Sequence, residues 1–123
     1  MRNLVTELKA IDLAVQYELQ RLSLSDPSQI KRMQKGCGYD LESPDGRKIE
    51  VKGSLGIDPN SGFRLNTTQE ILFAESNGYF YRITNLDGSP MLYIFRGNQL
   101  VLSKSEWASV RVPVSNLGEP IEL

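Results

Sequence analysis

Asp40, Glu50 and Lys52 are the residues of this chain whose types and spacing could do chemistry. They flank Pro44-Asp45-Gly46, a strong turn signal. The turn is centred near Asp45, so Asp40 and Glu50 fall five residues to either side of it. If the flanks, Tyr39 to Ser43 and Lys48 to Lys52, pair as an antiparallel hairpin, the two carboxylates sit opposite each other within about one residue of register. Alternation along the second strand points Glu50 and Lys52 to one face and Ile49 and Val51 to the other. The apolar pair predicts a core face, and the charged trio gathers opposite. Two opposed carboxylates repel; a divalent cation between them would resolve that. Oxygen donors plus waters suit Mg²⁺, with Mn²⁺ as the alternative. Lys52 would then orient or deprotonate a water, or stabilise charge on a phosphate.

Elimination strengthens this reading. The chain has no histidine and one cysteine, Cys37. Ser-His-Asp and Cys-His catalysis, histidine zinc sites and an intrachain disulfide are all excluded. Cys37 reads as a small buried residue. The formal net charge is −1, from 14 basic and 15 acidic residues. That balance argues against strong non-specific duplex binding, although a local basic patch would suffice for a specific contact. Arg64, Arg82, Arg96, Lys104 and Arg111 are the phosphate-contact candidates, scattered in sequence. No stretch has the length of an apolar membrane span and Met1 to Leu8 carries no leader pattern, so the expected location is cytoplasmic.

The elements that must position the trio follow from periodicity. Leu4, Leu8, Ile11, Val15, Leu19 and Leu22 recur at spacings of three and four, which predicts a first helix ending near Ser23 to Pro27. Glu7 and Glu18 lie eleven residues apart, close to three turns, and share one edge of it. Either could lean toward the sheet, and Glu18 reads as ordinary surface charge. Gln29 to Met33 is a weak strand, and Phe63 to Leu65 a short one. Thr67-Thr68-Gln69-Glu70 resembles a capping box, so a second helix should run to about Glu75. Tyr79 to Thr84 and Met91 to Phe95 read as strands, the first more simply a β-core than a base-stacking surface. Gln99 to Leu102 is a further strand, Ser103 to Ser109 a helical turn carrying Trp107, and the tail from Arg111 is extended. The whole, residues 1–123, is expected to be one domain: an α/β (α+β) sandwich with a central mixed sheet flanked by helices, in the order α-β-β-β-α-β-β.

Gly38-Tyr39-Asp40 followed by Ile49-Glu50-Val51-Lys52-Gly53 resembles the G-Y-D and I-E-V-K-G pattern of PD-(D/E)XK nuclease-like domains. More closely, the chain is similar to the NO VEIN C-terminal type of domain, over roughly residues 4 to 96. The stretch Phe63 to Glu70 and the aromatic strand Tyr79-Phe80-Tyr81-Arg82-Ile83 follow in that pattern's order. The resemblance implies a restriction-endonuclease-like core and metal-dependent phosphodiester hydrolysis. It implies Asp40 and Glu50 as metal ligands, Glu7 as the helix carboxylate on the metal, and Lys52 as the catalytic lysine. Gln69 or Glu70 would take the polar position of the second helix, against a plain capping role for Glu70. It implies a setting in prokaryotic defence, restriction or DNA repair, often beside helicases.

The leading expectation is therefore a Mg²⁺-dependent endonuclease-type domain acting on DNA, with RNA as the other nucleic acid. Cutting both strands of a duplex needs a second site, which makes a homodimer or a larger complex the expected assembly, with no membrane partner. The competing expectation is a non-catalytic module on the same fold that binds nucleic acid or a partner protein. In the bland alternative, Asp40, Glu50 and Lys52 form a solvated hairpin face that contributes little.

Overall fold

In the computed structural model, residues 4–102 and 109–123 are described. Helix α1 runs Leu4–Leu22, and a turn of 3-10 helix at Pro27–Gln29 leads into strand β1, Lys31–Arg32. Strands β2, Leu41–Glu42, and β3, Lys48–Gly53, form the hairpin, and β4 is Phe63–Arg64. Helix α2, Thr68–Glu75, precedes β5, Tyr79–Thr84, and β6, Met91–Arg96. Short strands β7, Val101–Leu102, β8, Ser109–Arg111, and β9, Ile121–Glu122, complete the described chain. The central sheet has the order β1-β2-β3-β5-β6-β9, and β4-β8-β7 form a second, smaller sheet. Strands β3 and β5 are parallel, with α2 in the crossover between them, and the other pairings in the central sheet are antiparallel. The mixed α+β architecture matches the sequence expectation.

The pleat divides the core in two. Ile49, Val51, Tyr81, Ile83 and Leu92 are buried beneath α1 with Ala10, Ala14, Val15 and Leu19. Phe80 and Phe95 stack on the other face, beneath α2 and the small sheet, with Leu65, Ala74, Val110 and Val112. Strand β5 is buried on both faces, with Phe80 on one and Tyr81 and Ile83 on the other, whereas β3 is apolar toward α1 through Ile49 and Val51 and charged on the other face through Lys48, Glu50 and Lys52.

The structure corrects several expectations. The buried stripe of α1 follows the expected row only in part: Val15 and Leu19 are buried and Ile11 and Leu22 pack against the core, but Leu4 and Leu8 are exposed and Ala10, Ala14 and Glu18 are buried. Small side chains face the sheet because the helix lies close on it; a Cβ on Gly53 would stand 2.6 Å from the Ala10 Cβ. Gly97–Gln99 is a 3-10 turn, so the strand expected from Gln99 begins at Val101. Ser109 opens a strand, and the expected helical turn at Ser103 to Ser109, Trp107 included, otherwise lies outside the described residues. Cys37 is exposed. No helix among the described residues is long and apolar enough to cross a membrane.

Glu18 is the largest surprise, because it is fully buried. Its carboxylate accepts from Arg21 Nη2 and Nε at 2.6 and 2.8 Å, from Ser43 Oγ at 2.6 Å and from Tyr81 Oη at 2.6 Å. Arg21 continues to Asp45 in the hairpin turn at 2.9 Å, and Arg47 donates to Tyr81 Oη at 2.8 Å. Helix, turn and central strand are thus tied by one charge. Burial pushes the Glu18 carboxyl up, but the bonds from Arg21, Ser43 and Tyr81 and the Arg21 charge outweigh it, and its pKa is lowered from the ordinary 4.5.

A carboxylate stabilised this way contributes above its unfolded pKa, and the contribution is lost as pH falls through the lower folded value. Glu18→Gln should cost about 2–3 kcal/mol at neutral pH, less than a wholly abandoned buried partner because Arg21 keeps Asp45. Urea titrations of wild type and variant should converge as pH drops below 4.5. A gap unchanged down to pH ~3 would show that the carboxylate's charge is not the source.

Candidate active site

The pairing Leu41↔Ile49 continues by one step to set Asp40 opposite Glu50, the register read from the turn. Asp40 stands just past the end of β2. Its backbone N–H donates to Ile49 O at 2.9 Å, closing the last rung of the ladder. The next donor of β3, the Val51 N–H, is taken by the Asp40 side chain, Oδ2, at 2.8 Å. Asp40 thus substitutes for the missing strand, which fixes its carboxylate at the edge of β3. Gly38, two residues earlier, has φ +90°, and a Cβ there would lie 2.6 Å from the Gln69 carbonyl oxygen. Only glycine lets the loop pass that close under the start of α2.

Glu50 points to the α2 face and is 4% exposed. Lys52 follows on the same face, with Nζ 3.2 Å from Glu50 Oε2, 3.1 Å from Glu70 Oε1 and 3.1 Å from the Arg64 carbonyl oxygen. Glu70 arrives from α2 by its capping geometry: Thr67 is the N-cap, its Oγ1 accepts from Glu70 N at 3.1 Å and donates to Glu70 Oε2 at 3.3 Å. The capping role and the site role expected for Glu70 as alternatives therefore coexist in one side chain.

The environments push the acids apart. Burial drives the Glu50 carboxyl well above its ordinary range, and its hydrogen bond to Asp40 and the Asp40 and Glu70 charges add to this against Lys52. Glu70 is also raised by burial, but the Lys52 charge and its hydrogen bonds win and its pKa is lowered. Closely placed acids sharing one cation cannot all ionise readily, and it is the Glu50 carboxyl that is pushed toward its neutral form.

A cavity of about 240 Å³ opens onto this cluster, lined by Glu7, Asp40, Glu50, Thr67 and Glu70 with the Met33 to Gly38 loop. Four of the expected site acids, from α1, the hairpin and α2, thus meet on one hollow. A second cavity of about 240 Å³ adjoins through Glu7 and is lined by Lys52, Arg64 and Arg82. Gln69 is not brought in; it is exposed and lines a separate cavity on the far side of the Gly38 turn. Of the scattered cations, Arg64 and Arg82 border the site. Arg96 lies over the Tyr79 ring, Arg111 sits half-buried in β8, and Lys104 lies outside the described residues. The placement of Arg82 beside Lys52 was missed, although an arginine inside an otherwise aromatic and apolar strand was its visible signal.

The donor set is oxygen only. Among the described residues no three acidic or cysteine side chains form a closed metal cage. Two carboxylates, Asp40 and Glu50, with room for water in the cavity fit a hard cation such as Mg²⁺, which keeps several waters, and do not fit zinc.

The family model described as the C-terminal region of protein NO VEIN matches residues 10–95. The chain belongs to the NO VEIN C-terminal family. The matched span holds Asp40, Glu50, Lys52, Glu70 and Arg82, and begins after Glu7. No curated protein and no solved structure matches this NO VEIN C-terminal domain.

Because Asp40 completes the ladder as well as facing the cavity, its two roles are separable. Asp40→Asn keeps an oxygen acceptor for Val51 N–H and removes a negative charge from Glu50. Asp40→Ala orphans that donor and should destabilise by about 1–2 kcal/mol. Chemical denaturation in chelator should rank Ala well below wild type and Asn at or above it; equal losses in both would show that the charge, not the bond, is the structural element.

Proposed function

We propose that this NO VEIN C-terminal domain is a metal-dependent phosphodiesterase of the PD-(D/E)XK type, an endonuclease-type domain acting on DNA. The observation that carries the proposal is the meeting of Glu7, Asp40, Glu50 and Glu70 on one cavity, with Lys52 paired to Glu50 and Glu70 and lining the adjoining cavity. A sequence folded for stability alone gains little from packing two carboxylates round one buried lysine. The hairpin followed by a helical crossover to a parallel strand supports the restriction-endonuclease-like reading that the motif implies.

Asp40 and Glu50 would hold Mg²⁺ or Mn²⁺, with Glu7 close by on α1. Bound there, the ion would polarise a phosphoryl oxygen and raise the acidity of a water. The chain's own residues do the rest. The added positive charge would favour the ionised form of Glu50, which burial disfavours. Glu70 and the Arg64 carbonyl hold the Lys52 ammonium at the cavity wall, where it can donate to a phosphate oxygen or a water. Thr67 fixes Glu70 through the helix cap, so α2 sets the position of the lysine.

Nucleic acid is favoured as substrate by a further cavity of about 390 Å³ on the other side of the Gly38 turn. Arg47 and Arg96 lie 4.1 and 4.0 Å from the centre of the Tyr79 ring, and Lys48 lies 5.6 Å from that of Tyr39. All three cations line that cavity and no carboxylate does. Cations interleaved with aromatic rings suit a polyanion with stacking bases. A defence, restriction or repair setting, and a homodimer for double-strand cleavage, follow the same reading.

A second reading keeps the fold and drops the chemistry, leaving a module that binds nucleic acid or a partner protein. Its support is that Lys52 already has three acceptors.

Incubation of single-stranded and duplex DNA with Mg²⁺ or Mn²⁺ should give products with wild type. The rate should fall by at least ~100-fold in Lys52→Met and in Asp40→Asn, the size of losing one positioned catalytic group. Both divalent ions should also raise the melting temperature of wild type and not of Asp40→Asn. A melting-temperature rise without cleavage would favour the binding module. Neither response would remove the metal site.

A further inference from the structure

Lys52 and Arg82 are register partners on β3 and β5. Adjacent strands lie ~4.8 Å apart, so two like charges share one face of the sheet, which is unfavourable unless each is compensated. Lys52 is compensated by Glu50 and Glu70. Arg82 is not. It is 4% exposed, its Nη2 donates to Ser61 Oγ at 2.7 Å, and its Nε is buried with no hydrogen-bond partner. Among the described residues no carboxylate forms an ion pair with it. Its guanidinium lies 5.4 Å from the centre of the Phe63 ring, with Lys52 at 5.7 Å from the same ring. Burial presses its pKa down, with the Asp58 charge opposing.

A buried guanidinium with an unused donor is costly to maintain. Its planar fork matches a tetrahedral oxyanion with two donors at once. The adjoining cavity of about 240 Å³ has Arg64 and Asn66 in its wall beside Lys52 and Arg82, with Glu7 as its carboxylate on the side toward the acidic cavity. Arg64 is exposed and can close on a ligand from the outside.

We propose that this cavity binds one phosphate of a nucleic-acid strand, through the buried Arg82 and the exposed Arg64, next to the carboxylate cavity. The identity of the ligand rests on the phosphodiesterase reading; the cationic pocket does not. A phosphate seated here would bring the neighbouring phosphodiester of the same strand toward Asp40 and Glu50. Arg82 is then a positioning residue. The competing solution is internal: Asn60 Oδ1 is also buried without a partner, and the Ser61 contact brings that loop to Arg82.

The test is a side-chain Nε–Hε correlation spectrum of the full chain, titrated without divalent cation. The probes are inorganic phosphate and then a short single-stranded DNA oligonucleotide. One resonance, absent in Arg82→Lys, should shift and saturate with phosphate, and should respond to the oligonucleotide at lower concentration. Arg64→Ala, an exposed change that leaves the core intact, should weaken phosphate binding about tenfold, the loss of one charge-assisted phosphate contact. An Arg82 resonance indifferent to both probes would overturn the proposal in favour of pairing with Asn60. Saturation by phosphate alone would overturn the strand as ligand. Since no step depends on cleavage, the two readings fail separately. Saturable binding in a protein that cuts nothing leaves the anion site and removes the hydrolase. Cleavage with no phosphate response does the reverse.

Discussion

Burying Glu50 is the constraint to which the rest of the structure answers. A carboxylate inside a sheet covered on both faces must be neutralised, protonated or matched. Lys52, two residues on, supplies the charge, and Asp40 and Glu70 supply further oxygen. Each partner needs its own anchor. Asp40 is held by completing the β3 ladder, Glu70 by capping α2, and Lys52 by the Arg64 carbonyl. The polar cluster is therefore not an addition to the scaffold. The end of β2, the start of α2 and the approach of β4 are all arranged around it.

The two faces of the sheet solve the same problem differently. Beneath α1, Glu18 is surrounded by donors, and its charge is settled within the protein. Beneath α2, carboxylates outnumber the lysine, and burial with the neighbouring Asp40 and Glu70 pushes the Glu50 carboxyl upward. One network is closed and its acid lowered, the other open and its acid raised. That contrast distinguishes the two carboxylates more clearly than burial does, since both are almost wholly enclosed.

Much of this was legible in the chain. The turn at Pro44 to Gly46 set the register of Asp40 and Glu50, and alternation put Ile49 and Val51 in the core, because a hairpin's geometry is local. The capping box placed Glu70 for the same reason. The face of α1 was read only in part, through Ile11, Val15, Leu19 and Leu22, because leucine spacing reports hydrophobicity, whereas contact with β3 selects for smallness at Ala10 and Ala14. Glu18 was assigned to the surface because one carboxylate on an apolar stripe carries no mark of its distant partners, Ser43 and Tyr81. Arg82 was seen only as one of several scattered cations. Its neighbour Lys52 is thirty positions away in sequence and is joined to it solely by the parallel pairing of β3 with β5.

The tight passage of Gly38 beneath the Gln69 carbonyl has a bearing on how such chains can diverge. With the loop pinned there and Asp40 seated on Val51 two residues later, the intervening span works as a ruler of fixed length. A residue gained or lost inside it would turn the carboxylate to the opposite side of the sheet. The stretch between Gly53 and Phe63 is exposed at its crest, around Ile57, beyond the bond from Asn85 N to the Gly56 carbonyl. Length variation among descendants of this sequence should accumulate at that crest and spare the ruler, whatever drift occurs in the side chains of either.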